Sequence, residues 1–394
     1  MRFVASAGGA VALALAVVPM TPVQAASHNP DHENNRIACN AGALTDAINN
    51  ANGKGGGTIE LARDCRYPLT STLPSIIQPI TLHGGKGTSI ERVSAGMFRI
   101  FEVSGDAGFL TLDDLTVKNG SSPDNGGAVL VGNGRTLLLK SVTLTRNRAA
   151  GNGGAVANVG GRVILRDSKV DKNSAGADGG GIHTDGGVVS VHSSAVNGNR
   201  ATVGNGGGVA SVGGYVTITH SNVDKNEAVD GGGIDNGGTA DIQSTSVTGN
   251  RASGNGGGVR NTGTLVVGRS SINKNTAANG GGIYNTGNTW IGRSVIKDNT
   301  ADTQGGGLWN NSEATVESSD IIGNETRDAG SQGGGVFNSA GNTVLTDSTV
   351  TKNQATDGGG IYRFGGAVTL NRTRVKDNVP NNCSPTNPVA GCVG

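Results

Sequence analysis

Three side chains capable of acid–base work stand at one phase of a repeating sequence. His183, Asp235 and Arg260 each directly follow an aliphatic residue, Ile182, Ile234 or Val259, that a glycine triplet precedes. An imidazole, a carboxyl and a guanidinium could take up a proton, return one and hold an anion, as sugar cleavage requires. The same phase carries Leu130, Ala157 and Ala210, and then four aromatics, Tyr284, Trp309, Phe337 and Tyr362. If the repeats stack, these residues form one outward column. Asp235 and Arg260 are then neighbours, and His183 stands two coils from Asp235. The plainer reading of Asp235 and Arg260 is an exposed ion pair worth under ~1 kcal/mol. The aromatics are concentrated in a chain that is only 3% aromatic. They read as an exposed stacking strip for sugar rings or a partner protein. The alternative is that the rings stack on one another and stiffen a sheet.

The repeat that would position this column is set by glycine. Of 394 residues, 69 are Gly, and there is no Gly-X-Y period that would signal collagen. Glycine pairs or triplets precede Val129, Val156, Ile182, Val209, Ile234, Val259, Ile283, Leu308, Val336 and Ile361. The steps range from 24 residues (Val259 to Ile283) to 28 (Leu308 to Val336). Aliphatics recur in register with the glycines, so each unit offers apolar surface for its neighbours to bury.

A second feature is an asparagine three residues after an aliphatic: Asn147, Asn173, Asn199, Asn226, Asn250, Asn275, Asn299, Asn324, Asn353 and Asn378. Asparagine tolerates the left-handed backbone region, and stacked asparagines bond to one another as a ladder. Alternating stretches such as Tyr215–Thr219 supply about three short strands per coil. A coil of this size predicts an all-β chain, a single right-handed parallel β-helix. At ~4.8 Å per coil, a dozen coils span on the order of 60 Å.

The ends differ from the repeat. Residues 1–25 read as a signal peptide, with Arg2, an apolar run from Phe3 to Met20, and small residues at Val23 and Ala25. Residues 26–38 read as a disordered linker. Residues 39–70 read as an N-terminal cap, with Leu44, Ala47, Ile48 and Ala51 on one helical face covering the open end of the solenoid. Residues 71–378 are the β-helix, and 379–394 a disulfide-closed tail. The four cysteines fit an oxidising compartment; the expected bridges are Cys39–Cys65 and Cys383–Cys392.

On these residues the chain resembles secreted parallel β-helix proteins of the pectin-lyase-like superfamily. Its repeat is similar to the polymorphic outer-membrane protein repeat. Gly126-Gly127-Ala128-Val129 and Gly153-Gly154-Ala155-Val156 match the Gly-Gly-Ala-Ile element, and Val170-Asp171-Lys172-Asn173 matches Phe-x-x-Asn with Val for Phe. The segment from Cys39 through Ile48 to Ile59 is similar to the Cys-Ser-Leu-Arg-Glu-Ala-type cap. The resemblance implies fold strongly and activity weakly. Polysaccharide lyases and hydrolases of the superfamily need a calcium-binding carboxylate cluster or paired aspartates. The one Asp-Asp, Asp113-Asp114, lacks the accompanying motifs.

The glycine clusters are neither P-loops nor dinucleotide fingerprints. Asp178, Asp230 and Asp357 precede glycine triplets where other coils carry amides, which points to a turn role, and no metal or cofactor is expected. The net charge of +1 gives no reason to expect nucleic acid. The expected function is a secreted, non-catalytic β-helix repeat protein, a monomer without a membrane span after signal removal, binding a cell surface or polysaccharide. The alternative is a polysaccharide lyase or glycoside hydrolase.

Overall fold

The computed structural model describes residues 35–384 and 389–392, so the expected signal peptide and most of the linker lie outside the described residues. From Arg36 onward the chain is a parallel β-helix. One coil shows its logic. Asn288–Gly292 lies in sheet 1, Val295–Lys297 in sheet 2, Thr300–Gln304 in sheet 3 and Leu308–Asn310 in sheet 4. The next coil then begins, with Glu313 paired to Asn288. Among the described residues the four sheets hold thirteen, thirteen, nine and eleven strands, each strand paired with its counterparts one coil away. About three strands per coil are expected from the sequence. The fourth set, often two residues long as in Arg148–Ala149, is too short to show an alternating pattern.

Each coil sends its aliphatics inward. Ile291, Ile296 and Leu308 are fully buried. At roughly 1.5–3 kcal/mol per buried aliphatic, three of them contribute ~5–9 kcal/mol per coil against chain entropy. The asparagine ladder runs beside them. The Nδ2 of Asn147 donates to Oδ1 of Asn173, and the pattern passes rung by rung through Asn353 and Asn378 to Asn382, at 2.9–3.0 Å.

The asparagines do not themselves take the left-handed conformation. The residue before each one does: Arg146, Lys172, Lys225, Lys274 and Lys352 have φ of +54 to +58°. The asparagine side chain faces the interior, where the preceding coil's main chain and the amides of both neighbouring coils satisfy it. The turn therefore places the left-handed residue one position earlier, at the exposed corner.

Two further ladders were not expected from the sequence. Asn236, Asn261, Asn285, Asn310 and Asn338 bond in series at 2.7–3.1 Å inside the bend between sheets 4 and 1. Serine and threonine hydroxyls from Ser168 to Thr373 accept main-chain N–H bonds from the preceding coil at the corner between sheets 1 and 2. With three internal polar columns paired along the axis, buried polar groups cost little.

Helix α1, Ala41–Gly53, caps the first coil. The Asn40 side chain accepts from the Ala43 N–H at its N-terminus, and Leu44, Ile48 and Ala51 are buried. It packs on the strands Gly57–Glu60, Arg66–Leu69 and Pro79–His83. Ala47 is only partly buried. Both expected disulfides form, Cys39–Cys65 beside this cap and Cys383–Cys392 at the other end. The coil pattern persists past Asn378: Val379 bridges Gln354, and Cys383 bridges Ile361. No helix among the described residues is long and apolar enough to cross a membrane.

Candidate functional site

The column read from the sequence exists. In sheet 4, Leu130, Ala157, His183, Ala210, Asp235 and Arg260 pair in strict succession. Tyr284, Trp309, Phe337 and Tyr362 continue it. Its surroundings differ from the expectation. The turn entering each strand curls back over it, because its first glycine is left-handed. Gly280, at φ +60°, shows why: a Cβ there would strike the Tyr284 Cα and Cβ and the Ile283 carbonyl. The column is therefore lined on one side by sheet 4 and on the other by turn residues such as Asp178, Asp230 and Gln304.

This cover buries the acid–base candidates. His183 is 5% exposed, Ala210 1% and Asp235 9%. Arg260 donates from Nη1 to the Asp235 carboxylate at 3.0 Å, and its Nε lies 3.8 Å from Asp230. One guanidinium thus sits between two carboxylates, one from the strand and one from the turn. Asp235 and Arg260 were expected to form an exposed pair; the turn folded over them makes it a largely buried one. Burial pushes the Asp235 carboxyl up to about 6, against the pull of Arg260. Burial lowers the His183 imidazole, partly offset by Asp178 and Asp185. The His183 Nδ1 is buried without a hydrogen-bond partner among the described residues. His183 lies two strand spacings, about 10 Å, from Asp235, with Ala210 between them, and the two share no hydrogen bond. Arg260 and Asp235 are brought together; His183 is not joined to them.

The aromatics form a stack. Tyr284 and Trp309 lie 4.1 Å apart between centroids, with planes 9° from parallel. Trp309 and Phe337 follow at 6.2 Å, and Phe337 and Tyr362 at 5.5 Å. Trp309 Nε1 donates to Gln304 of the covering turn at 3.2 Å. An open strip was expected. Only Tyr284 and Trp309 keep partial exposure; Phe337 and Tyr362, at 2% and 7%, are ring-on-ring packing beneath turns. Burial and the neighbouring Asp230 raise the Tyr284 hydroxyl above its ordinary range.

The turn aspartates act through main-chain bonds: Asp178 accepts from Asn205 N–H at 2.7 Å and Asp230 from Asn255 N–H at 2.6 Å. Among the described residues, no group of three or more His, Cys, Asp or Glu is placed to hold a metal ion. Asp113 faces His83 at 3.6 Å on the outer face of sheet 1, and Asp114 is a left-handed corner residue.

The sequence reading missed an indole elsewhere. Trp290 stands on the outer face of sheet 1, 37% exposed, beside a cavity of about 290 Å³. The signal was present: Val267-Gly268-Arg269-Ser270 and Ile291-Gly292-Arg293-Ser294 repeat one coil apart.

No protein-family model matches the chain, and no curated protein matches it significantly. Solved structures do. PfbA, a surface adhesin of Streptococcus pneumoniae, aligns with a TM-score of 0.46 at 13% identity, over 87% of this chain and 90% of that one. The A-module of the mannuronan C-5 epimerase AlgE6 of Azotobacter vinelandii aligns at 0.39 and 15%, over 90% and 98%. The Dettilon tailspike protein aligns at 0.34 and 12%, over 83% and 64%. The likeness is in the course of the chain and extends no further.

Proposed function

We propose that this chain is an extracellular, non-catalytic β-helix that binds a polysaccharide or a polysaccharide-coated surface. The observation carrying this reading is the Tyr284–Trp309 pair: two parallel rings, half-buried, with Phe337 and Tyr362 continuing the stack along the column. Rings fixed in this way present apolar area to a sugar with little side-chain entropy left to lose. Two disulfides and a leader-like N-terminal sequence support an oxidising, extracellular setting. The test is co-sedimentation with a panel of insoluble polysaccharides. Trp309→Ala should bind at least tenfold more weakly while Trp309→Phe keeps most of the affinity. Unchanged binding by Trp309→Ala would remove the aromatic pair from the site.

A second reading, a polysaccharide lyase or glycoside hydrolase, draws on one observation. Asp235 is a carboxyl raised to about 6, in the range a general acid or base uses. Its cover of turns and its distance from His183 weigh against it.

A further inference from the structure

We infer that the outer face of sheet 1 carries a separate binding site for an oxyanion-bearing pyranose, built on Trp290 between Arg269 and Arg293. The ligand class rests on the polysaccharide-binding reading above, but the site shares no residue with the sheet 4 column.

The site begins as a gap. The last outward position of each sheet 1 strand holds Lys140, Arg166, His192, Thr219 and Gln243 on successive coils. Gly268 and Gly292 follow, then Glu317. Two consecutive glycines open a trough in a row of longer side chains. Its floor is furnished from within. The Trp290 indole lies over Gly292, where a Cβ would fall inside the ring. The Gln243 amide lies over Gly268 in the same way and is held by its bond to Asp241 at 2.7 Å. An indole laid against a sheet and partly open to water is a stacking surface for the apolar face of a sugar ring.

The rim is charged. Arg269 and Arg293 occupy the same left-handed corner position on adjacent coils, with φ of +49° and +51°. Both are exposed, and neither guanidinium has a hydrogen bond or ion pair to another described residue. Their main chains are one strand spacing apart, ~4.8 Å, so two like charges sit side by side without a carboxylate between them, which is unfavourable. A carboxylate or sulfate on the ligand would relieve this and could accept both guanidinium forks. Gln243 and Glu317, at the two ends of the trough, can accept from or donate to ring hydroxyls.

The trough has about 290 Å³, the lower end of ligand sites and the scale of a single ring. Around the corner the same two arginines border a cavity of about 620 Å³, lined by Ser244, Ser246 and Ser271. A polymer seated at Trp290 therefore has a hydroxyl-lined path across the edge between sheets 1 and 2. This favours a chain over a free monosaccharide.

The test is affinity electrophoresis and calorimetry with three soluble polymers: polygalacturonate for carboxylate, dextran sulfate for sulfate, and dextran as the neutral control. The wild-type protein should bind one or both anionic polymers and not dextran, with affinity falling as salt rises. Arg269→Ala/Arg293→Ala and Trp290→Ala should each lose at least tenfold. Arg162→Ala/Arg166→Ala, two exposed arginines on the same sheet, should lose less than twofold. These substitutions lie on an exposed face, so each variant should keep the wild-type melting transition. Equal losses from the Arg162/Arg166 control would reduce the effect to general surface charge and overturn the site. Wild-type protein that ignores both anionic polymers, yet binds another polysaccharide through Trp309, overturns this inference and leaves the proposed function standing. Wild-type protein that binds nothing overturns both.

Discussion

The Nδ2 of Asn299 donates to Oδ1 of Asn324 at 2.9 Å, while Asn299 Oδ1 accepts from both the N–H and the Nδ2 of Asn275. Asn299 is fully buried and also donates to the Ile272 carbonyl. Replacing it by Ala strands groups on both neighbouring coils, in a place water does not reach. Asn299→Ala should therefore cost about 2–4 kcal/mol. Lys297→Ala, two residues away and exposed, should cost under ~0.5 kcal/mol. Urea titration followed by circular dichroism reads both. Equal effects would mean the ladder is incidental to stability.

The glycine at the centre of each triplet is fixed by close approach. A Cβ on Gly281 would overlap the Thr300 carbonyl and the Gly306 oxygen. Gly281→Ala is expected to cost more than 3 kcal/mol or to prevent accumulation of folded protein, since main chain on two coils would have to move. Gly53→Ala, at the end of α1 with open space around it, should change stability by less than ~0.5 kcal/mol. A folded Gly281→Ala with wild-type melting would show that the coils have slack the structure does not suggest.

Asp235 gives the chain a pH-dependent stability. Its pKa is raised from an ordinary 3.8 to about 6 by burial, with Arg260 opposing. The folded chain thus holds this proton more tightly than the unfolded chain does. The resulting stability is fully present below pH 3.8 and is lost as pH rises through about 6. Asp235→Asn removes the titration. The advantage of wild type over Asp235→Asn should therefore shrink by up to about 3 kcal/mol between pH 4 and pH 7. Urea unfolding at the two pH values, with a carboxyl NMR titration, checks this. A carboxyl titrating near 4, or a difference that stays constant, would contradict it.

The two bridges close loops of 26 and 9 residues. In the chain-entropy account each contributes roughly 3 kcal/mol. Cys39→Ala/Cys65→Ala should lower the melting temperature and loosen α1 first, seen as faster amide exchange at Leu44 and Ile48. Thiol labelling of unreduced protein should find no free cysteine. Four labelled thiols would remove both bridges.

The sequence made the fold legible because the solenoid repeats its physics. The glycines before Val156 or Ile283 mark tight turns, and the aliphatics mark inward positions. One phase, from Leu130 to Tyr362, could be followed along the whole array and proved to be one column. Its environment was not legible. A turn that folds back over the strand, as at the left-handed Gly280, covers part of that phase, and the identity of Tyr284 does not reveal it. The left-handed corner was placed on the asparagine when it belongs to Lys172 and its equivalents, since a ladder residue and a corner residue are adjacent in sequence. Trp290 was overlooked because an isolated indole in Asn288–Gly292 signals nothing until Gly268 is seen beside Gly292 on the next coil.

One assay separates binding from chemistry. The protein is incubated with insoluble polysaccharides, uronate polymers included, and pelleted. Bound protein is measured in the pellet, and unsaturated products and new reducing ends in the supernatant. Retention in the pellet that Trp309→Ala weakens, with no product formed, is the expected result. Product on any substrate, abolished by Asp235→Asn, would make the chain an enzyme and contradict the non-catalytic reading.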